Sequence, residues 1–549
     1  MIFVVLISAV ALTQQKSADA TQTDDPVLQA MRQELDRSMS NLKLDNVAPP
    51  YYIEYRVFDV DDYAAEAAYG ALRSAVRSHA RILRVAVRVG DHKVDGYFSQ
   101  GNGAISMLDL LSVDDDVFAI RHQLWIATDR AYREAAQALA AKQAQLKQLT
   151  IDQPVDDFAN AEPVHSVEPL AKLEIDPQPW TRMIEEASAV YKNDPQIETS
   201  ESNLRFEAIN EYLVTSEGTE LRSGQHLYQM YASSGTQASD GMDLQRSRGY
   251  ILANAKELPS AEEFVSRAKS LATTLKDLRN APIVDEEYRG PVLFSADAAT
   301  TVFEDLVGEN VLGRRPALGK NVRTTGAFAN SYKSRVLPEF FSVVSDPTLS
   351  SYHGQSLLGH YQFDDEGVPA QRVSLIEKGV LVNYLMGREP IRDFAKSNGH
   401  GRARIPSAPP RTPASPQPHN SNLIVNSLEP LTTQKLRDKF LDLCRQRELP
   451  YCYRVETFGP RLTPRLLYKV WSKDGHEELV RGGSFGDLDV RALRSDLIAA
   501  GDDFYVDNHP TNVPHSIVAP SILFDELEVK RTNANKDKLP EYPEPALRH

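Results

Sequence analysis

Val27, Met31, Leu35, Met39 and Leu42 fall on one stripe of a helix that opens at Asp25-Pro26, an acidic cap followed by proline at the first helical position. The period then shortens to two. Residues 51–58 and 82–89 read as strands, the second with Arg84 and Arg88 on the side opposite Val85 and Val87. A long helical pattern returns at 118–149, turns rich in Ala, Gln and Lys after Tyr132, and reads as a solvated amphipathic arm. Further helices are expected at 180–191 and 260–278, separated by strand-like pieces from 204 to 231. This half is α/β or α+β in pattern and ends near 280–289.

Beyond Arg289, strands and glycine turns dominate, with helices expected at 298–307 and 433–447. At 363–386 an acidic turn, Asp364-Asp365-Glu366-Gly367, leads into an apolar run ending at Ile376. A second turn at Glu377-Lys378-Gly379 then returns a β-rich segment to Leu385. The pattern predicts an antiparallel hairpin over 363–385, with Gly367 and Gly379 free to take positive φ. Residues 405–418 hold six prolines, which exclude helix and central strand and predict an extended surface loop.

The 549 residues suffice for two or more domains with their own cores. A net charge of −15 argues against nucleic-acid binding, which needs a cationic surface. Residues 2–12 form an apolar run too short to span a bilayer, so no transmembrane segment is expected there. With Ala18-Asp19-Ala20 as a small-x-small cleavage site, they predict a signal peptide at 1–20, a mature start at Thr21, and export to the periplasm or outside. The bland alternative is a buried N-terminal strand or helix. Only Cys444 and Cys452 are present, which excludes a four-Cys zinc site and leaves open a disulfide or two separate buried thiols.

The wording of 363–386 resembles the TldD/PmbA family of metallopeptidases, also described as modulators of DNA gyrase. Members carry a DDEG-x-P segment, then L-I-E-x-G-x-L, then a glycine-rich SxGxGR segment, here Ser397-Asn398-Gly399-His400-Gly401-Arg402. Glu477 to Gly482, Gly501-Asp502-Asp503 and Val513-Pro514 match later family segments, so the resemblance covers roughly residues 288 to 530. It implies an α+β, two-domain chain: an N-terminal α/β domain at 21–287 and a β-rich TldD/PmbA-type domain at 288–549. It also implies a homo- or heterodimer with a TldD/PmbA-family subunit, and peptide as a ligand.

Active members carry H-E-x-x-x-H on the helix opening the second domain, and a later cysteine completes a zinc site. The corresponding residues here are Glu304, Asp305 and Glu309, and the cysteine is missing. The expectation is therefore a degenerate site without zinc or other cofactor, in a non-catalytic peptide-binding or partner subunit. Two alternatives stand beside it: a peptide hydrolase with a rearranged carboxylate and histidine site, and a structural envelope protein. Glu304 and Glu309, five apart, converge only if the helix breaks near Gly308, whereas Asp305 and Glu309 share a face and could be countered by Arg314 and Arg315. His353, His360, His509 and His515 match no zinc spacing and are expected in surface or hydrogen-bonded roles. His400 and Arg402 are the candidates to line a groove.

Overall fold

The computed structural model describes residues 25–532 except 44, 46, 98–108, 151–152, 193, 195, 404–414 and 511–512. The expected signal peptide and most of the proline-rich stretch lie outside the described residues. Asp25 accepts hydrogen bonds from the backbone N–H of Val27 and Leu28 and so caps helix α1 (Pro26–Asn41). Strands β1 (Pro50–Ala68) and β2 (Ala71–Val89) form the centre of a seven-stranded sheet with the strands Thr199–Thr215 and Glu220–Gln237. Both run well past the lengths that apolar alternation predicts. The extra length is carried by charge, because Asp59 lies opposite Arg81 and bonds it at 2.7 Å, while Asp61 bonds Arg77 at 2.7 Å.

The two faces of this sheet differ in kind. Ile53, Tyr55 and Val57 of β1 join Leu83, Val85 and Val87 of β2 in a core under α1 and α2 (Val117–Leu146). Tyr63, Ala65 and Ala67 continue that face under α3 (Pro177–Ala189) and α4 (Ala261–Asn280). Helix α2 is not the solvated arm its composition suggests. Ile120, Leu124, Ala127, Ala131, Tyr132 and Ala135 are fully buried against the sheet, and Lys142 is buried in an ion pair with Asp157. Its alanines serve close approach, since a Cβ on Gly96 would stand 2.1 Å from the Ala135 carbonyl oxygen. The opposite face carries Glu54, Arg56, Arg84 and Arg88, all buried.

The C-terminal half is sheet-rich. A seven-stranded sheet contains Tyr288–Phe294, Tyr451–Gly459, Thr463–Trp471 and Ile522–Arg531. A six-stranded sheet contains Phe341–Ser345, Val373–Glu377, Asn422–Ser427, His515–Ala519 and Tyr505–His509. Helix α5 (Ala296–Leu306) packs against both, with Ala298, Ala299, Val302 and Phe303 in the shared core. The predicted hairpin is shorter than its pattern: only Val373–Glu377 pairs with Val380–Leu381, around Lys378 and Gly379 at positive φ. The acidic turn before it is a separate structure. Asp364 accepts the N–H of Glu366, Val368 and Gly401, which folds the turn on itself and onto the glycine-rich segment. Helix α6 (Thr433–Gln446) and the strand Tyr451–Gly459 are joined by a Cys444–Cys452 disulfide with Cα atoms 6.0 Å apart.

The polar face of the N-terminal sheet meets the C-terminal half through a buried charge network. Arg56, wholly buried, contacts Glu54, Glu211 and the Asp365 carbonyl. Arg84 bonds Glu54 at 2.7 Å, and Arg402 contacts Asp365 at 3.2 Å. Arg388 crosses the other way, donating to the Ala159 carbonyl and pairing with Glu217 at 2.8 Å.

Burial, reinforced by the charge of Asp365 and opposed by Arg56, pushes the Glu211 carboxyl from 4.5 up to about 7. The folded chain then holds a proton that the unfolded chain has released, so the contribution of Glu211 to stability declines as pH rises from about 4.5 to 7. Thermal unfolding between pH 5 and 8 is expected to show a shallower decline in Glu211→Gln than in the parent; parallel curves would refute this. The disulfide closes a short loop, and Cys452→Ser, or reduction, is expected to cost about 2.5 kcal/mol of stability in a denaturant titration.

Candidate metal centre

The hairpin formed by Tyr505–His509 and His515–Ala519 sets His509 directly opposite His515. Their rings stack with centroids 4.8 Å apart and planes 10° apart. Glu304, in the last turn of α5, reaches both: Oε1 lies 3.0 Å from Nε2 of His515, and Oε2 lies 3.3 Å from Nε2 of His509. One ligand-type atom from each of the three lies within 4.8 Å of the others. His515 is buried, while Glu304 and His509 are half-buried.

Proton bookkeeping makes this contact unusual. Nδ1 of His515 lies 2.9 Å from the Val513 carbonyl oxygen, which can only accept, so Nδ1 carries the proton. In the neutral ring Nε2 is then a bare lone pair facing a carboxylate oxygen, an arrangement that needs a shared proton or a cation to be favourable. The same Nδ1–H to carbonyl bond is how a metal-ligating imidazole is usually oriented. His509 Nε2 sits between Glu304 and Asp507, the latter at 3.1 Å, but makes no aligned hydrogen bond. Burial works against protonation of His509, yet the close Asp507 carboxylate, then the charges of Glu304 and Asp305, outweigh it and raise the ring above its ordinary value. His419 packs edge-on against His515 at 5.1 Å, and burial together with the charge of His515 holds it down to about 3.

Two imidazole nitrogens and one carboxylate form a donor set that suits zinc and leaves room for a further ligand. The residues present therefore fit a divalent ion, although they are not the family's own set.

Of the carboxylates singled out in the sequence, the structure brings only Glu304 to this point. Helix α5 does stop at Leu306 and a 3₁₀ turn follows at Gly308–Asn310, but Glu309 turns to Arg314 at 3.1 Å. Arg315 pairs with Asp157 instead. Asp305 is exposed, with its carboxyl raised by burial of its immediate surroundings and by the charges of Glu304 and Glu309. His353 stacks on Phe504, and His360 bonds the Pro347 carbonyl.

Arg402 lines a cavity of about 540 Å³ between the two halves, together with Arg56, Glu211, Asp365, His360 and Pro514. His400 does not line it: the ring is fully buried, hydrogen-bonded to Ser345 at 3.0 Å. The glycines beside it serve packing, because a Cβ on Gly401 would stand 2.0 Å from Glu366.

Sequence spacing missed the histidine pair because zinc signatures are read along helices, whereas this pair is made across strands. The available signal was two histidines six apart, enclosing Pro510 and Pro514 and flanked by alternating strand residues.

Residues 287–440 match the model of the PmbA/TldA metallopeptidase C-terminal domain. Metalloprotease PmbA of Escherichia coli O157:H7 is 28% identical over 164 residues, 30% of this chain and 33% of that protein. The first curated relatives are matched over only 17% to 33% of their length. The fold is shared with TldE of Thermococcus kodakarensis (TM-score 0.57, 14% identity, 91% of this chain and 99% of that one). It is shared equally with a protein of Thermotoga maritima described as a modulator of a DNA gyrase (TM-score 0.58, 15% identity, 91% and 100%). Residues 287–440 thus carry a C-terminal domain of the TldD/PmbA type, and the chain has the α+β fold of these solved structures, with a β-rich C-terminal domain.

Proposed function

We propose that this chain is a peptide-handling member of the family whose metal centre has been rebuilt on Glu304, His509 and His515, and that it acts as a metal-dependent peptide hydrolase. The observation that carries the reading is the approach of Glu304 Oε1 to Nε2 of His515 at 3.0 Å, with the Val513 carbonyl facing Nδ1 on the other side of the ring. A bound divalent ion would supply Lewis acidity toward a peptide carbonyl. The chain's own residues do the rest. Asp507, accepting from Thr300 at 3.4 Å, holds the His509 ring, and Val513 holds His515. Asp305, next to Glu304 and raised above its ordinary value, stands in sequence where the family has its general base.

A second reading has its own support. Asp305 is exposed and its carboxylate is not among the three converging groups. A centre that holds an ion without a positioned base would make the chain a non-catalytic peptide-binding subunit, paired with a second TldD/PmbA-type chain. Export is part of either reading, and the Cys444–Cys452 bridge supports an oxidising compartment.

Elemental analysis of untagged protein dialysed against a weak chelator is expected to give about one zinc per chain. Glu304→Gln and His515→Ala should each weaken retention by more than the roughly 10- to 100-fold that loss of an outer-shell partner costs. Glu309→Gln should leave it unchanged. A metal-free parent would end the hydrolase reading, and a metal-loaded parent that leaves denatured peptide mixtures intact would favour the non-catalytic one. N-terminal sequencing from the native host is expected to find Thr21 first, and an intact Met1 in the cytoplasm would count against export.

A further inference from the structure

A second groove, of about 640 Å³, lies between the strand Asp243–Leu252, helix α4 and the C-terminal strand Thr463–Trp471. Arg246, Arg248 and Arg267 line it, in a chain whose net charge is −15. Arg246 is the anomaly. It is 4% exposed, its one hydrogen bond goes from Nη1 to the Thr457 hydroxyl at 3.2 Å, and its Nε is buried without a partner. Among the described residues no carboxylate pairs with it. A buried guanidinium that no carboxylate contacts directly is unfavourable unless an anion arrives. Burial and the neighbouring charges of Arg248 and Arg465 pull it down to about 10, against the charge of Asp297, which is itself engaged by Arg248.

The other cations are little better matched. Arg267 donates to the Gly249 carbonyl and lies over the Tyr250 ring at 4.1 Å. Arg248 alone has an acid, Asp297 at 3.3 Å, and is still 38% exposed. On the rim, Glu262 is exposed, and Glu263 spends its carboxylate on the Ser260 N–H and hydroxyl at the start of α4.

We propose that this groove binds an extended acidic peptide segment whose carboxylates neutralise Arg246 and the arginines beside it. Arg246 and Arg248 are two apart on one strand, so they point the same way about 6.5 Å apart, the spacing of alternate side chains in an extended chain. A single small oxyanion would satisfy one of them and leave an open groove of this size largely empty. Planar guanidinium groups suit carboxylates in particular. The groove also adjoins the candidate metal centre. Asp297, the partner of Arg248, lies in the first turn of α5, whose last turn carries Glu304, and Asn508, next to His509, donates to the Ile251 carbonyl on the groove strand.

The inference takes its class of ligand from the peptide-handling reading, and chelator-treated protein makes its failure separable from failure of the metal centre. The probe is a dye-labelled hexapeptide alternating Glu and Ala, with a Gln/Ala twin, followed by fluorescence anisotropy in EDTA. The acidic peptide is expected to bind at least 10-fold more tightly than its twin and to weaken with added salt. Arg246→Met is expected to lose at least 10-fold while remaining as stable as the parent or more so. Arg267→Gln, at a less buried position, tests the site if Arg246→Met does not fold and is expected to lose about 3-fold or more.

Equal binding of the two peptides, or binding indifferent to these substitutions, would overturn the proposal. So would Arg246-dependent binding of inorganic phosphate without binding of the peptide, or a change in oligomeric mass as the sole effect of Arg246→Met.

Discussion

Charge taken out of water in pairs, between the two halves, is the constraint on which the remaining geometry depends. Arg56, Arg84 and Arg388 are among the most deeply buried large side chains of the molecule, and each meets a carboxylate or a carbonyl. Ion pairs of this kind contribute little net stability compared with apolar packing, but removing one partner strands the other at a cost of about 3–5 kcal/mol. They act through intolerance of error. A slip of one residue between β1 and its neighbours would exchange Arg56 for Tyr55 and drive a guanidinium into the apolar core under α1 and α2. The same network seats Asp365 and Arg402, and with them the acidic turn and the glycine-rich segment that follow the family pattern.

Elements whose identity depends on local rules were legible from residues alone. Asp25-Pro26 starts a helix because the cap and the proline act within a few residues of each other, and Arg84 and Arg88 oppose Val85 and Val87 because strands alternate. Lengths were less legible where charges replaced apolar residues, as along Asp59, Asp61 and Asp62, since cross-strand partners come from another part of the chain. The fate of α2 could not be read from composition, because alanine is as suited to a close helix–sheet contact as to a solvated surface. Whether Cys444 and Cys452 join depended on how the chain turns between α6 and the following strand, which no spacing rule supplies.

The site was half visible. Glu304 stood out as the residue in a histidine's place, and its divergence from Glu309 follows from helix geometry together with the pull of Arg314. Its convergence with His509 and His515 is a tertiary event. It arises where the edge of the six-stranded sheet passes the end of α5, more than 200 residues further along the chain, as the separation of 211 between Glu304 and His515 records. Arg246 illustrates the converse. Its side chain looks ordinary in the sequence and becomes conspicuous only when burial removes water and nothing ionic replaces it.

Helix α5 is a rigid spacer. Asp297 and Glu304 are seven residues apart, two turns, so they lie on nearly one side of the helix about 10 Å apart along its axis. Locked between two sheets by Ala298, Val302 and Phe303, the helix cannot slide or unwind to change that interval. About three residues of extended chain span the same distance. The helix therefore works as a ruler: inserting one residue within it would swing Glu304 by roughly 100° away from the histidine hairpin, while Asp297 stayed beside Arg248.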